Sequence, residues 1–185
     1  RLRRTGLDMT RQSVATGRDN LIVSVGGRGS SPRLVLLAHM DTVPIGEGWT
    51  QPPLEGKIVD GRLYGRGSCD MKAGVALALN LIESVDRVGG VGGDVVLCLT
   101  CDEEAPDMLG VHALVEAGFV GDNDQVLALE PTGLRLRIAQ MGLRWLELTV
   151  HGKMAHAGRA HLGIDANHVM ARVIDSLKQE VAELP

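Results

Sequence analysis

Residues Asp94–Pro106 read DVVLCLTCDEEAP. Val95 to Leu99 is an uninterrupted apolar run of strand length, the pattern of a β-strand covered on both faces. That run drives straight into Asp102, Glu103 and Glu104. Carboxylates crowded at the end of a buried strand repel one another and resist leaving water. Such an arrangement calls for a positive charge placed among them.

The same pattern recurs on either side. Leu21 to Val25 reads as a strand ended by the turn GGRGSSP, and Arg33 to Ala38 (RLVLLA) as a second continuous apolar strand. A long loop rich in Gly and Pro follows, from Thr42 to Gly67. Met71 to about Val88 is apolar nearly all round and predicts a buried helix. Leu109 to Ala117 predicts a short helix ended by Gly118, and Val126 to Leu129 another short strand. Strands alternating with helices predict an α/β domain with a mainly parallel sheet and helices on both faces. After Gly133 the character changes. Leu134–Ile138 and Leu143–Val150 alternate apolar and polar residues, as strands with one wet face do, and an amphipathic helix is predicted from about Ile164. A boundary near residue 139 gives a first domain of residues 1–139 and a second beginning at 140–185.

Composition narrows the function. The chain has 185 residues, 44% hydrophobic and 23% charged, with a formal net charge of −4. That balance fits a globular protein with a substantial core and speaks against a nucleic-acid partner, which needs a basic face. The early arginines, Arg1, Arg3, Arg4 and Arg11, read as a solvated segment. No apolar stretch is long enough to span a membrane, and no apolar block follows those arginines as in a signal peptide. An odd count of three cysteines points to reduced thiols and a cytoplasmic setting. Cys98 and Cys101 form a C-x-x-C, but positions three apart on a strand face opposite ways, so both read as structural.

Each apolar strand of the first domain ends in possible metal ligands. RLVLLA runs into His39 and Asp41, the central strand into Asp102, Glu103 and Glu104, and VLAL into Glu130; Asp70 lies just before the predicted helix. In open α/β sheets, ligands bind outside the carboxyl ends of the strands. The positive charge sought above is therefore a divalent cation, and imidazole mixed with carboxylates suits zinc, manganese or cobalt better than calcium.

LLAHMDTVP, GRLYGRGSCDMKAGVA, TCDEEAP and ALEPT, in this order between Leu36 and Thr132, resemble the motifs of the co-catalytic zinc hydrolases. That family includes acetylornithine deacetylase, succinyl-diaminopimelate desuccinylase, aminoacylase and carboxypeptidase G. The resemblance implies two zinc ions per subunit, with cobalt or manganese as substitutes. It implies that His39 binds one zinc, Asp70 bridges both, Glu104 binds the second and Glu130 the first. Asp41 would hold the His39 imidazole in its binding tautomer, and Glu103 would act as general base on a metal-activated water attacking an amide carbonyl. The implied substrates are N-acyl amino acids or small peptides, with dipeptidase-type exopeptidase action as the alternative within the class.

HGKMAHAGRAHLGIDA, His151–Ala166, resembles the start of that family's α+β lid or dimerisation domain. There His156 would reach the partner subunit's site in a homodimer and stabilise the oxyanion. This stretch tilts the resemblance toward the deacetylase, aminoacylase and carboxypeptidase branches rather than the desuccinylase. The resemblance also expects a final zinc-binding histidine beyond Pro185, in a protein about twice as long. Leu54 stands where the family often has Phe.

Simpler readings compete. A single histidine after a strand is commonly a hydrogen-bonded core residue, yet His39 has acids from other segments in company. Asp70 could cap the helix, and Asp102 could serve a local hydrogen bond. His112, His151, His161 and His168 read as structural or solvent-facing, and Met71 and Cys69 as packing.

Overall fold

The computed structural model describes residues 7–29, 31–143 and 145–182. Arg1, Arg3, Arg4 and Arg144 lie outside them. The chain forms two compact units, Arg1–Gln140 and Met141–Pro185.

The first unit is built on a five-stranded sheet in the order β1-β2-β6-β3-β7. Its strands are β1 Asp8–Ala15, β2 Arg18–Val25, β3 Ser31–His39, β6 Gly93–Thr100 and β7 Gln125–Ala128; β4 Lys57–Val59 and β5 Arg62–Tyr64 form a separate hairpin. β3 pairs in parallel with both β6 and β7. β2 runs antiparallel to β6, and β1 antiparallel to β2, so four of the five strands share one direction.

Helix α1, Ala73–Arg87, connects β3 to β6; helix α2, Leu109–Glu116, connects β6 to β7 on the far side of β3. The two crossovers step across the sheet in opposite senses, so right-handed connections place their helices on opposite faces. The core confirms this placement. Val23, Leu36, Leu97 and Leu99 pack with Met71, Ala78, Ile82 and Val85 on the α1 face. Ile22, Val35, Val96 and Cys98 pack with Leu114 of α2 on the other. The chain therefore leaves β3 for one face and β6 for the other, which opens a crevice at their carboxyl ends.

Several expectations need correction. Helix α1 is not buried all round. Gly74, Ala78, Ile82 and Val85 form its buried stripe, whereas Leu77 is 63% exposed and Leu81 44%. An apolar composition without a polar face carries no information about which side meets the sheet. The alternating segments Leu134–Ile138 and Leu143–Val150 form no strand among the described residues. Alternation provides a face but no ladder, and no neighbouring strand supplies one here.

Two elements escaped the apolar pattern. β1, DMTRQSVA, is an edge strand with few apolar residues, and its exposed Arg11 pairs with Asp19 across the β1–β2 hairpin. The β4–β5 hairpin turns at Asp60 and Gly61, with φ of 48° and 74°. That Asp-Gly pair at positive φ is the strongest short-range hairpin signal, and it lay inside the stretch read as loop. The same stretch is ordered around Ile45, whose carbonyl accepts from Trp49 Nε1 and Arg66 Nη2 while the Arg66 guanidinium stacks 5.1 Å over the Trp49 ring.

In the second unit, Lys153 and Ile164 form an isolated antiparallel bridge around a tight turn at Ala157–Leu162. Helix α3, Ala166–Ala182, follows. Asp165 caps it, its Oδ1 accepting from the Asn167 and His168 amides at 2.9 and 3.2 Å. No described helix is long and apolar enough to cross a membrane.

Ile82 is fully buried between α1 and the sheet. Ile82→Ala is expected to lower unfolding free energy by about 2–5 kcal/mol, whereas Leu77→Ala should stay within about 1 kcal/mol; urea denaturation of both variants checks the pair.

Candidate metal centre

His39 is the last residue of β3, and the ladder sets it opposite Thr100, the last residue of β6. It is 2% exposed. Its amide donates to the buried Met71 sulfur at 3.1 Å, which fixes the backbone from the α1 side. Nδ1 lies 3.1 Å from the Asp41 carbonyl oxygen. In the tautomer with its proton on Nδ1, that carbonyl accepts it, leaving the Nε2 lone pair free. Nε2 faces Asp70 Oδ1 at 3.1 Å and Glu103 Oε2 at 3.9 Å.

Asp70 arrives from an irregular turn, Ser68–Lys72, entered through Gly67 at φ 78°. The helix N-cap position is Lys72, and no side chain caps it, so Asp70 is not the capping residue. Its carboxylate is committed to His39 instead. Lys72 Nζ donates to the Met40 carbonyl at 2.9 Å and ties this turn to the segment after β3. Glu130 follows β7 by way of Leu129, whose amide donates to the Leu37 carbonyl at 3.0 Å. A side chain at Gly74 would place its Cβ 2.5 Å from the Leu129 carbonyl oxygen, so only glycine lets α1 come this near. Ligand atoms of His39, Asp70 and Glu130 all lie within 4.8 Å of one another.

The acidic turn after β6 is held by Asp41. Its two carboxylate oxygens accept the backbone amides of Glu103, at 3.2 Å, and Glu104, at 3.0 Å. The Asp41 carboxylate itself stands 3.7 Å from His39 Nδ1. Asp41 thus orients the imidazole chiefly through its backbone carbonyl, while its side chain shapes the turn carrying Glu103 and Glu104. Glu104 does not join the group formed by His39, Asp70 and Glu130. Asp102, at φ 55°, makes a bond that is far from local: its carboxylate accepts from Arg18 Nη1 at 3.0 Å, across 84 residues of sequence.

Electrostatics mark the cluster as short of positive charge. Burial alone would lower the His39 pKa, but the Asp70 hydrogen bond and the charges of Glu103, Glu130 and Asp41 outweigh it, and the imidazole is raised above its ordinary 6.5. Burial raises Glu103 above the usual glutamate value against the pull of His39, and Glu104, Asp41 and Asp70 add to the rise. Glu130 is raised in the same way, by burial first and then by Glu103, Asp70 and Glu104. Without a cation the site draws in protons. A dication in their place satisfies one imidazole and several carboxylates at once, the donor set of zinc, manganese or cobalt.

The cysteines stay outside this chemistry. Burial pushes the Cys98 thiol up to about 11 and also raises Cys101. Cys69 is exposed and in no disulfide, so the expected packing role is not met. His156 belongs to the second unit, where its Nδ1 accepts from the Gly158 amide at 3.1 Å. Lys72, Arg18 and Asn20 carry contacts that sequence reading did not assign. Only a lysine directly after the Asp70–Met71 pair hinted at the first of them.

The model of Peptidase family M20/M25/M40 matches residues 35–181. The chain is 33% identical over 170 residues to a probable succinyl-diaminopimelate desuccinylase of Staphylococcus aureus, covering 90% of this chain and 42% of that protein. It is 34% identical over 169 residues to a succinyl-diaminopimelate desuccinylase of Rhodospirillum centenum, covering 86% and 42%. Among solved structures it resembles a tripeptidase from Staphylococcus aureus, with a TM-score of 0.60, 23% identity and coverage of 93% of this chain and 47% of that one. Human carnosine dipeptidase 1 superposes with a TM-score of 0.56 at 22% identity, covering 69% and 30%. These two structural likenesses speak to the fold. The chain spans about two-fifths of the length of the curated relatives it matches. All four sequence motifs between Leu36 and Thr132 fall inside the matched region, and the chain belongs to Peptidase family M20/M25/M40.

Proposed function

We propose that this chain carries the catalytic unit of a dinuclear zinc amidohydrolase that cleaves the amide bond of N-acyl amino acids. One observation carries the reading: His39, Asp70 and Glu130, from three separate segments, bring ligand atoms within 4.8 Å, and Glu103 stands beside them. In this reading His39, Asp70, Glu104 and Glu130 would hold the zinc pair, with Asp70 shared between the two ions. Cobalt or manganese can replace zinc. The bound pair would supply Lewis acidity at the amide carbonyl and lower the pKa of water toward ~7.

The chain's own residues then divide the work. Asp41 keeps His39 Nε2 turned to the centre and fixes the backbone of the acidic turn. Glu103 takes the proton of the attacking water as its oxygen bonds to the carbonyl carbon. It returns that proton to the amine nitrogen as the carbon–nitrogen bond breaks. Burial has already raised Glu103 in the metal-free chain, toward the basicity a general base needs. We assign unit Met141–Pro185 to a lid or dimerisation domain, with His156 an oxyanion donor to the partner subunit of a homodimer. The three free cysteines accord with a cytoplasmic enzyme.

Both sequence relatives described above bear the name desuccinylase. They weigh against the tilt toward other branches drawn from the His156 stretch, and put N-succinyl substrates first. Exopeptidase action on small peptides is the second reading, favoured by the tripeptidase and dipeptidase among structural neighbours.

Three outcomes are expected of the intact protein. Glu103→Gln should lower turnover by about 10²- to 10⁴-fold while zinc content, measured by atomic emission, stays near normal; a non-catalytic metal-binding protein would show no turnover to lose. In a hydrolysis screen, zinc-loaded protein should cleave N-succinyl or N-acetyl amino acids in preference to dipeptides, and chelation should abolish cleavage. The third concerns pH. His39, Glu103 and Glu130 all have folded-state pKa values raised above their ordinary ones. Each bound proton favours the folded state, so metal-free protein should lose stability as pH climbs from the ordinary glutamate value of 4.5 past the imidazole's 6.5. Saturating zinc should reverse that slope, because ion and proton compete for the same groups. Melting temperatures across this range, with and without zinc, provide the check.

A further inference from the structure

Four consecutive residues of the acidic turn, Cys101 to Glu104, are tied to three anchors. Asp41 takes the amides of Glu103 and Glu104, as described above. The other two ties come from β2. Asn20 is fully buried, and its Oδ1 accepts the Cys101 amide at 3.0 Å. Its Nδ2 donates to the Gly110 carbonyl at 2.8 Å and to Gln12 Oε1 at 2.9 Å, so the amide nitrogen and the amide oxygen both have fixed partners. Gln12 in turn donates from Nε2 to the Ala113 carbonyl at 2.7 Å. Arg18, two residues earlier on the same face of β2, pairs with Asp102 at 3.0 Å; its side chain is 52% exposed and that of Asp102 only 13%.

Helix α2 closes the joint from the other side. A Cβ on Gly110 would sit 2.2 Å from the Cys101 carbonyl oxygen and 2.8 Å from Asn20 Oδ1, so turn, helix and β2 meet without room for one more atom. Asp102 sits in the left-handed region at φ 55°, a conformation an aspartate keeps when its surroundings hold it there. Arg18 bonds its carboxylate, and Asn20 bonds the amide of the residue before it.

From this geometry we infer that Arg18 and Asn20 are positioning residues: β2 clamps Cys101 and Asp102 so that the next residue, Glu103, is presented to His39 and the amide substrate. The inference rests on the proposed hydrolase reading for its catalytic consequence. Its structural content, a clamp on residues 101–104, stands apart from that reading. A buried amide and a charge pair divide the task. Asn20 sets where the turn leaves the sheet, and Arg18 sets the twist of the following peptide.

Two readouts on the intact, zinc-loaded protein test it together. Arg18→Ala is the main variant, because the arginine is half exposed and its loss spares the core; Arg18→Lys keeps the charge, and Asn20→Ser keeps a small acceptor. Hydrogen–deuterium exchange of the peptide spanning 101–105 should speed up in Arg18→Ala and Asn20→Ser while β3 and β6 keep their protection. In Arg18→Ala, kcat should fall by about ten-fold with KM and zinc content unchanged, and Arg18→Lys should recover most of it. Arg18→Ala and Asp102→Asn should fail to add when combined, since each breaks the same tie. Unchanged exchange at 101–105 overturns the inference, as does faster exchange with undiminished kcat in an active enzyme. If the unsubstituted protein hydrolyses nothing, the hydrolase reading falls; exchange at 101–105 then decides the clamp by itself.

Discussion

The parallel pairing of β3 with β6 is the constraint on which the rest of the molecule depends. Its register sets His39 opposite Thr100, so the imidazole and the acidic turn leave the sheet side by side. Met40 donates to the Thr100 carbonyl at 2.8 Å, extending the ladder by one bond past the strands' end. A slip of one residue would turn His39 to the other face of the sheet and part it from Asp70 and Glu103. Because both strands are buried on both sides, by α1 on one face and α2 on the other, such a slip would also expose the apolar sets now packed against each helix. The hydrophobic core thus enforces the geometry of a polar site.

That polar site runs against the ordinary preference of its groups. Carboxylates converge on a buried imidazole, and burial raises the two glutamates as well as opposing the charge of the histidine. The fold tolerates this because neutral backbone donors supply part of what is missing. Glu103 and Glu104 give their amides to Asp41. These contacts arrange the acids without neutralising them, and the remaining demand is for positive charge. Family membership and local electrostatics lead to the same requirement by separate routes.

Much of this was legible in the sequence. Continuous apolar runs marked β3 and β6, and a cluster of acids at the end of one of them located the crevice. Of His39, Asp70, Glu104 and Glu130, the four ligands the sequence gathers at one crevice, His39, Asp70 and Glu130 bring ligand atoms within 4.8 Å of one another, and Glu104 does not join them. What was not legible depends on partners that sequence patterns do not carry. β1 is polar because it is an edge, and its presence follows only from its pairing with β2. The alternating segments after Gly133 had the pattern of strands, yet pattern alone cannot supply a neighbour. Asp102 was assigned a local bond because nothing in the stretch around it names Arg18, 84 residues away. Long-range polar contacts of this kind are set by topology, and topology is where reading along the chain stops.

The absent side chain at Gly74 bears on any ion that the proposed centre would hold. Backbone meets backbone there, α1 against the Leu129 carbonyl, and such a contact has no rotamer to relax. Asp70 precedes that point and Glu130 follows it, so the main chain that carries the two acids meets there at close range. In the proposed metal reading, a main-chain approach that cannot widen would limit the ionic radii the two acids accept. The preference for one metal over another would then be written partly in a residue that never touches it.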